Sequence, residues 1–397
     1  MRDTTPLLCE LPRLRVDTTY ETEQGTVRLL NLEEVRRLDA WQTGFAHLAK
    51  DHRYYEVVDE TLRGEFQFLY LVFTALSGTV AIQPFFLVQQ DLLATAPRAV
   101  RAVAKTVRAH FPGWMKPRML MAGGAAGEGH PGATTPELQT ALIAAASKVF
   151  PEVARQHRAS LIIWKDFPAH YRTRMPATAG VRIGSMPGTR LPLEFASFEE
   201  YLQARLSHAA RKDLRRKLKA TREFPLEMSV TAEPGAHLEE IHRLYSQVLA
   251  RSTLQFERLP PEFFRLLGER MPDRARFFVW RHAERLVACS ICLVHDGVLY
   301  DEYLGLEYPL ALERHLYFVT LRDVLAWAIA NGLREYRSTP LGYAPKRELG
   351  FLLAPLDLYV KPRCAAFDPL VRFALPRIAP RRAEPILEQF SNAHELD

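Results

Sequence analysis

Cysteine is scarce: four residues in 397, at Cys9, Cys289, Cys292 and Cys364. That is too few for a disulfide framework. The one C-x-x-C falls in a strand-like run, Leu286 to Val294, where residues three apart point to opposite faces, so Cys289 and Cys292 are expected neither to share a metal nor to pair. No apolar run approaches the ~20 residues of a membrane-spanning helix. The opening MRDTTPLLCELPRLRV also lacks the apolar core and small-residue cleavage site of a secretory signal. A cytoplasmic protein with no membrane span is expected. There is no P-loop, no metal-ligand pair and no Ser/His/Asp order, which disfavours nucleotide hydrolysis, metal chemistry and serine-type catalysis.

Against these absences, 397 residues with 48% hydrophobic and 25% charged side chains suffice for two domains with separate cores. The net charge of +6 leans towards an anionic partner. Much of that charge lies in one helical run, which opens with Ser197 and Glu200 spaced as a capping box and places Leu202, Leu206, Ala210, Leu214 and Leu218 four apart. Arg211, Lys212, Arg215, Arg216, Lys217, Lys219 and Arg222 share the same segment, relieved by Asp213 and Glu223 alone. Such a cluster repels itself and invites an anion, with a solvated basic face as the plain alternative.

Along the chain, Asn31 caps an expected helix over residues 32–49. Apolar runs at 66–73 and 80–88 flank Ser77-Gly78 as a hairpin. A helix over 96–110 and a short strand at 119–122 lead into GGAAGEGHPGATTP, read as a mobile surface loop rather than a phosphate cradle, because the helix over 136–157 starts only after two prolines. The strand at 161–164 ends in Lys165-Asp166, and Asp166 and His170 there are candidate acceptor contacts or loop caps. Residues 181–193, rich in Gly and Pro, read as the connection between halves. Helices at 238–249 and 261–270 follow, then a meander of strands at 276–280, 286–294 and 298–304.

The stretch from Val298 to Lys361 carries the chemistry. Its order is strand, a long helix stopping at Asn331-Gly332, a strand over 334–338, a loop holding Tyr343-Ala344-Pro345-Lys346 with Leu349-Gly350 behind it, and a strand over 356–360. This order resembles the C-terminal half of the GNAT acyltransferase superfamily, and more narrowly its FemAB-like branch, in which two such domains are fused. The resemblance implies an α/β fold of mixed sheets flanked by helices, in tandem GNAT-like domains over 1–193 and 194–365, with a helical tail over 366–397.

The resemblance also implies transfer of an acyl or aminoacyl group to an amine, with acyl-CoA or aminoacyl-tRNA as donor substrate and no tightly bound cofactor. It places the central strand at 298–304, where alternation puts Tyr300 and Glu302 on one face and Asp301 and Tyr303 on the other. Lys346 matches the lysine expected near the reacting carbonyl, as a point charge for an oxyanion, and Tyr343 could orient substrate or donate a proton. Glu302 completes the catalytic candidates. Tyr300, Tyr303, Asp166, Arg211, Arg215 and Arg216 are the substrate-binding candidates, and His315 the donor-binding one. The usual pyrophosphate loop of acetyl-CoA enzymes has no counterpart, since no glycine lies between Gly305 and Gly332, which gives aminoacyl-tRNA weight. A non-catalytic RNA- or nucleotide-binding protein on the same fold is the alternative.

Overall fold

The computed structural model describes residues 18–91, 98–111, 113–219, 221, 224–252, 255–377, 382 and 384–397. Cys9, Arg222 and Glu223 lie outside them. Among the described residues fifteen strands form two mixed sheets flanked by helices. In chain order they are β1 (Thr19–Thr22), β2 (Gly25–Leu30), β3 (Gln67–Ala75), β4 (Val80–Gln89), β5 (Arg118–Ala122), β6 (Leu161–Pro168), β7 (Val181–Gly184), β8 (Gly188–Pro192), β9 (Glu227–Thr231), β10 (Ala275–His282), β11 (Arg285–His295), β12 (Val298–Leu306), β13 (Glu335–Ser338), β14 (Leu352–Ala354) and β15 (Leu356–Pro362). The first sheet runs β1-β2-β3-β4-β5-β6-β15-β7 and the second β14-β8-β13-β12-β11-β10-β9.

Each sheet is antiparallel except for one parallel pair, β5 with β6 and β12 with β13. A parallel pair needs a crossover, and helices Pro136–Gln156 and Leu316–Ala330 supply the two. The first begins on a Thr135 cap with proline in its first turn, and the second ends at Asn331 with Gly332 at φ 68. Strand, helix, strand therefore occurs once per half, as the element order suggested.

The Gly/Pro-rich stretch read as the connection passes from the first sheet to the second and carries a strand in each, β7 and β8. β8 lies between β14 and β13 of the second sheet, while β15, from the far end of the chain, lies between β6 and β7 of the first. Pro187 and Pro192 interrupt without preventing this, because the ladders here are short and proline tolerates strand ends. The expected helix over 32–49 is likewise two pieces, Leu32–Val35 and Asp39–Phe45, and the basic run is Phe198–Arg205 followed by His208–Lys219.

Three large cores follow from this layering. One lies under the helix Pro136–Gln156, a second under Leu316–Ala330, and a third joins the halves, packing Tyr54, Val57, Phe86 and Met121 against Leu244, Phe263, Phe264 and Ile291. Cys289 belongs to this third core and Cys292 to the second, so the two thiols do face opposite sides of β11. At the rim of the joint Arg53 reaches Asp273 at 2.7 Å and Arg270 reaches Glu60 at 2.5 Å. Among the described residues no helix is long and apolar enough to cross a membrane.

Candidate active site

The two parallel pairs come apart at the same place in the molecule. β12 and β13 are paired as far as Asp301 and Ser338, and β5 and β6 as far as Ala122 and Trp164. The residues just beyond, Glu302 and Thr339 on one side and Gly123 and Lys165 on the other, sit at the carboxyl ends of parallel strands, where backbone no longer fills the gap between neighbours.

A bulge decides what β12 presents there. Ile291 pairs with Tyr303 and Cys292 with Asp301, leaving Glu302 as the extra residue. Strict alternation would separate Tyr300 and Glu302 from Asp301 and Tyr303. Instead Tyr300 and Tyr303 both pack on the core between the halves, and Glu302 points the same way to meet Lys50. Asp301 alone faces the other core, accepting hydrogen bonds from Ser290 and Tyr336.

Lys50 comes from the first half, one residue before the Asp51 cap of the helix His52–Leu62. Asp51 is itself held by Arg53 and Arg274, which fixes the start of that helix against the second half. The buried Lys50 ammonium lies 2.8 Å from Glu302 and 2.8 Å from Glu128. Burial alone would lower this ammonium, but the two carboxylates raise it well above the ordinary lysine value. Burial would likewise raise Glu128, yet Lys50 holds it down at about 2. For Glu302 burial wins: Lys50 pulls the carboxyl back only partway, Glu128 pushes it up, and it settles at about 7. One turn along, Tyr54 shares a 2.7 Å hydrogen bond with Tyr303.

Glu128 arrives on the glycine-rich segment, and that segment is not a mobile surface loop. Gly123 to Ala126, Gly129 and Pro131 to Ala133 are buried. A Cβ on Gly129 would stand 2.4 Å from the Lys165 carbonyl, and one on Gly127, at φ 95, would stand 2.5 Å from Lys50 Nζ. The glycines let this backbone lie directly against two lysines, with no helix dipole in play. Lys165 Nζ donates to the Gly127 carbonyl at 3.2 Å, so both lysines flank one peptide.

Lys165 also pairs with Asp166 at 2.7 Å. Asp166 occupies the left-handed region, φ 54, where β6 carries one residue more than β15, and it accepts a hydrogen bond from Ser185. Glu257 completes the group: burial raises its carboxyl, with Lys165 drawing it down. His170 is exposed two residues beyond the end of β6, and Arg337 lies 5.5 Å over the Tyr300 ring.

Other candidates lie elsewhere. Lys346 and Tyr343 are in a short helix, Tyr343–Glu348, rather than a loop, and both are buried. Lys346 Nζ donates to the Thr339 and Leu341 carbonyls at 2.7 and 2.9 Å. Burial lowers it to about 8, with Asp301 raising it. Through Thr339, whose amide and hydroxyl donate to the carbonyls of Asp301 and Glu302 at 3.4 Å, Lys346 is one turn removed from Glu302. Tyr343 donates to the Pro187 carbonyl at 2.8 Å.

In the basic run Arg211 donates to the Leu206 carbonyl at 2.8 Å, Arg215 pairs with Glu199 at 2.6 Å, and Arg216 pairs with Asp213 at 2.7 Å. His315 caps the helix Leu316–Ala330 with φ 51 and no side-chain cap bond. No group of three or more His, Cys, Asp or Glu side chains among the described residues could hold a metal.

Tyr300, Glu302, Tyr303 and Asp166 are thus brought to one cluster. Lys50, Glu128, Lys165 and Glu257 join it without having been singled out in the sequence. Glu128 had a signal there, as the one acid in a glycine-rich stretch, and Lys165 another, as a charge at a strand end. Lys50 had none.

Comparison with known proteins agrees with this architecture. Residues 208–345 match the family model of the acetyltransferase (GNAT) domain. No curated protein matches the chain. Among solved structures it is similar to the C-terminal domain of a protein described as a lysylphosphatidylglycerol synthetase from Agrobacterium fabrum, at 14% identity and TM-score 0.51, over 86% of this chain and 97% of that one. It is also similar to the L-PGS of Bacillus licheniformis, at 12% identity and TM-score 0.51, over 89% and 98%. FemX follows at 10% identity and TM-score 0.49, over 87% and 99%. At these identities the likeness is one of fold.

Proposed function

We propose that this chain, whose two mixed sheets form the two-domain, FemAB-like GNAT fold, is an N-acyltransferase that moves an acyl or aminoacyl group from an activated donor to an amine. The observation that carries this reading is Glu302. It is a buried carboxylate at about 7, set on a bulge where two parallel strands separate, and partnered by a lysine from the other half of the chain. An acceptor amine reaches the site as an ammonium and must lose a proton before it attacks. A carboxylate poised near neutrality accepts that proton far better than an ordinary glutamate. The neutral nitrogen then adds to the donor carbonyl, the C–N bond forms, and the leaving group departs with its electron pair and takes up a proton.

Lys50 keeps Glu302 partly ionised and oriented. Tyr54 and Tyr303 wall the site with paired hydroxyls, and Lys165, Asp166 and Glu257 border it and orient the acceptor. Lys346 holds the Thr339 to Leu341 turn against the Glu302 backbone, leaving its remaining N–H for charge developing on the carbonyl oxygen. The donor is an acyl-CoA or an aminoacyl-tRNA. The helix His208–Lys219 supports a polyanion, because ion pairs as exposed as Arg215–Glu199 and Arg216–Asp213 are weak enough for a phosphate to displace.

The test is turnover with labelled acetyl-CoA and with charged tRNA against a panel of amines. Transfer should appear with one donor class, and Glu302→Gln should lower turnover roughly 10²- to 10⁴-fold, the scale of a lost general base. Salt-steep RNA binding without transfer from any donor would replace this reading with a binding protein on the same fold.

A further inference from the structure

Ten large apolar side chains are exposed among the described residues, and seven of them fall in two short segments. Val103, Phe111, Trp114 and Met115 lie on or just after the helix Arg98–His110, and Phe367, Leu370 and Phe373 lie on the turn and helix that follow β15. Phe111 is 68% exposed and Phe373 62%. Both segments are basic: residues 98–118 hold six Lys or Arg and no acid, and residues 361–377 hold four and a single Asp.

The sheet brings them together. β5 begins at Arg118, β6 at Leu161, and β15 ends at Pro362 opposite Leu161, so all three strand ends lie on one edge. The Ser160 amide donates to the Arg118 carbonyl at 2.7 Å and the Arg363 amide to the Ser160 carbonyl at 3.0 Å. The two segments thus leave the sheet about 10 Å apart, two strand spacings. Leu375 packs on the sheet beside Ile183 and Val360 and anchors the second helix, which leaves Leu370 and Phe373 outward.

We propose that this edge docks the protein peripherally on an anionic lipid surface. Exposed apolar side chains in segments with more cations than acids, where Asp91 pairs with Arg108 and Asp368 with Arg372 while Lys105, Lys116 and Arg363 add further positive charge, suit a headgroup layer of negative charge. Phe111, Trp114, Phe367 and Phe373 would also stack on bases, but Val103, Met115 and Leu370 gain nothing from a base or a phosphate and all seven gain from a headgroup layer, so competition by RNA is the outcome that reverses the choice. The surface is independent of the chemistry proposed above: Lys165 lies about 13 Å further along β6, at ~3.3 Å per residue. Docking therefore fixes where the enzyme works rather than what enters its site.

Co-sedimentation of the full chain with phosphatidylcholine vesicles, with and without about 30% phosphatidylglycerol, reads this directly. Binding is expected with the anionic vesicles, falling steeply between low salt and about 0.5 M NaCl as screening shortens. Phe367→Ser/Leu370→Ser/Phe373→Ser and, separately, Phe111→Ser/Trp114→Ser should each lower the partition coefficient roughly tenfold or more. Their circular dichroism should be unchanged, because the replaced side chains are exposed. Absence of binding, binding insensitive to both variants, or competition of the vesicles by bulk RNA at equal charge would overturn the proposal. So would a concentration-dependent dimer abolished by the same substitutions, which would make this edge a contact between copies of the chain.

Discussion

At Glu302, burial and the Lys50 ammonium act in opposite directions on one proton, and burial prevails. Removing the ammonium should therefore raise the carboxyl further. Lys50→Met is expected to shift the acid limb of the pH–rate profile upward from its wild-type position near 7, where uncharged Glu302 gives way to the base; a limb that stays put would mean another group titrates. The same shift bears on stability. Because the folded value lies above the ordinary 4.5, protonated Glu302 favours the folded state below that value, and its contribution is lost as pH rises through about 7. Lys346 separates two roles by kinetics. If its remaining N–H meets an oxyanion, Lys346→Ala should lower turnover of bound substrate roughly 100-fold with little change in binding. If it acts only by holding the turn, KM, kcat and thermal stability should worsen together.

Among elements, the glycine-rich segment shows how little backbone freedom the site has. It carries Glu128 to Lys50 and takes a hydrogen bond from Lys165, and both contacts depend on close backbone approach at Gly127 and Gly129. Gly129→Ala would drive a methyl into the Lys165 carbonyl and the Phe167 ring. A loss of about 1–3 kcal/mol is expected in a denaturant titration, the usual scale for overpacking. Turnover should fall more than stability accounts for, because Lys165 must move. The basic helix behaves differently, since its arginines are held by exposed partners that salt screens.

Across the whole molecule, the exchange of β8 and β15 ties the halves together through their sheets as well as through the core between them. A fragment cut at residue 193 would lack β15, the neighbour of both β6 and β7, and its complement would lack β8, which bridges β13 and β14. Neither is expected to give a cooperative unfolding transition alone, while the two co-expressed should reassemble and the intact chain should melt in one step. Two separate transitions in calorimetry would show that the strands contribute less than their central places suggest.

What the sequence determined by itself is what local pattern encodes. Period and caps set the two crossover helices and most strands, the opposite facing of Cys289 and Cys292, and the strand, helix, strand order that resembles the GNAT superfamily. The resemblance placed Tyr300, Glu302 and Tyr303 on the central strand as candidates, and Asp166 stood out as a charge just beyond a strand end. The tertiary structure alone decided the rest. A bulge is one residue of pairing register between two strands, here the extra Glu302 of β12 against β11, and it turned Tyr303 towards the same core as Tyr300. Lys50 stands 252 positions from Glu302 in the chain, and only the packing of the first half's helix against the second sheet brings them to 2.8 Å. Strand exchange is invisible for the same reason: β8 lies in a Gly/Pro-rich stretch without a strand signal, β15 carries an ordinary strand pattern, and which sheet accepts each depends on edges that exist only once both sheets have formed.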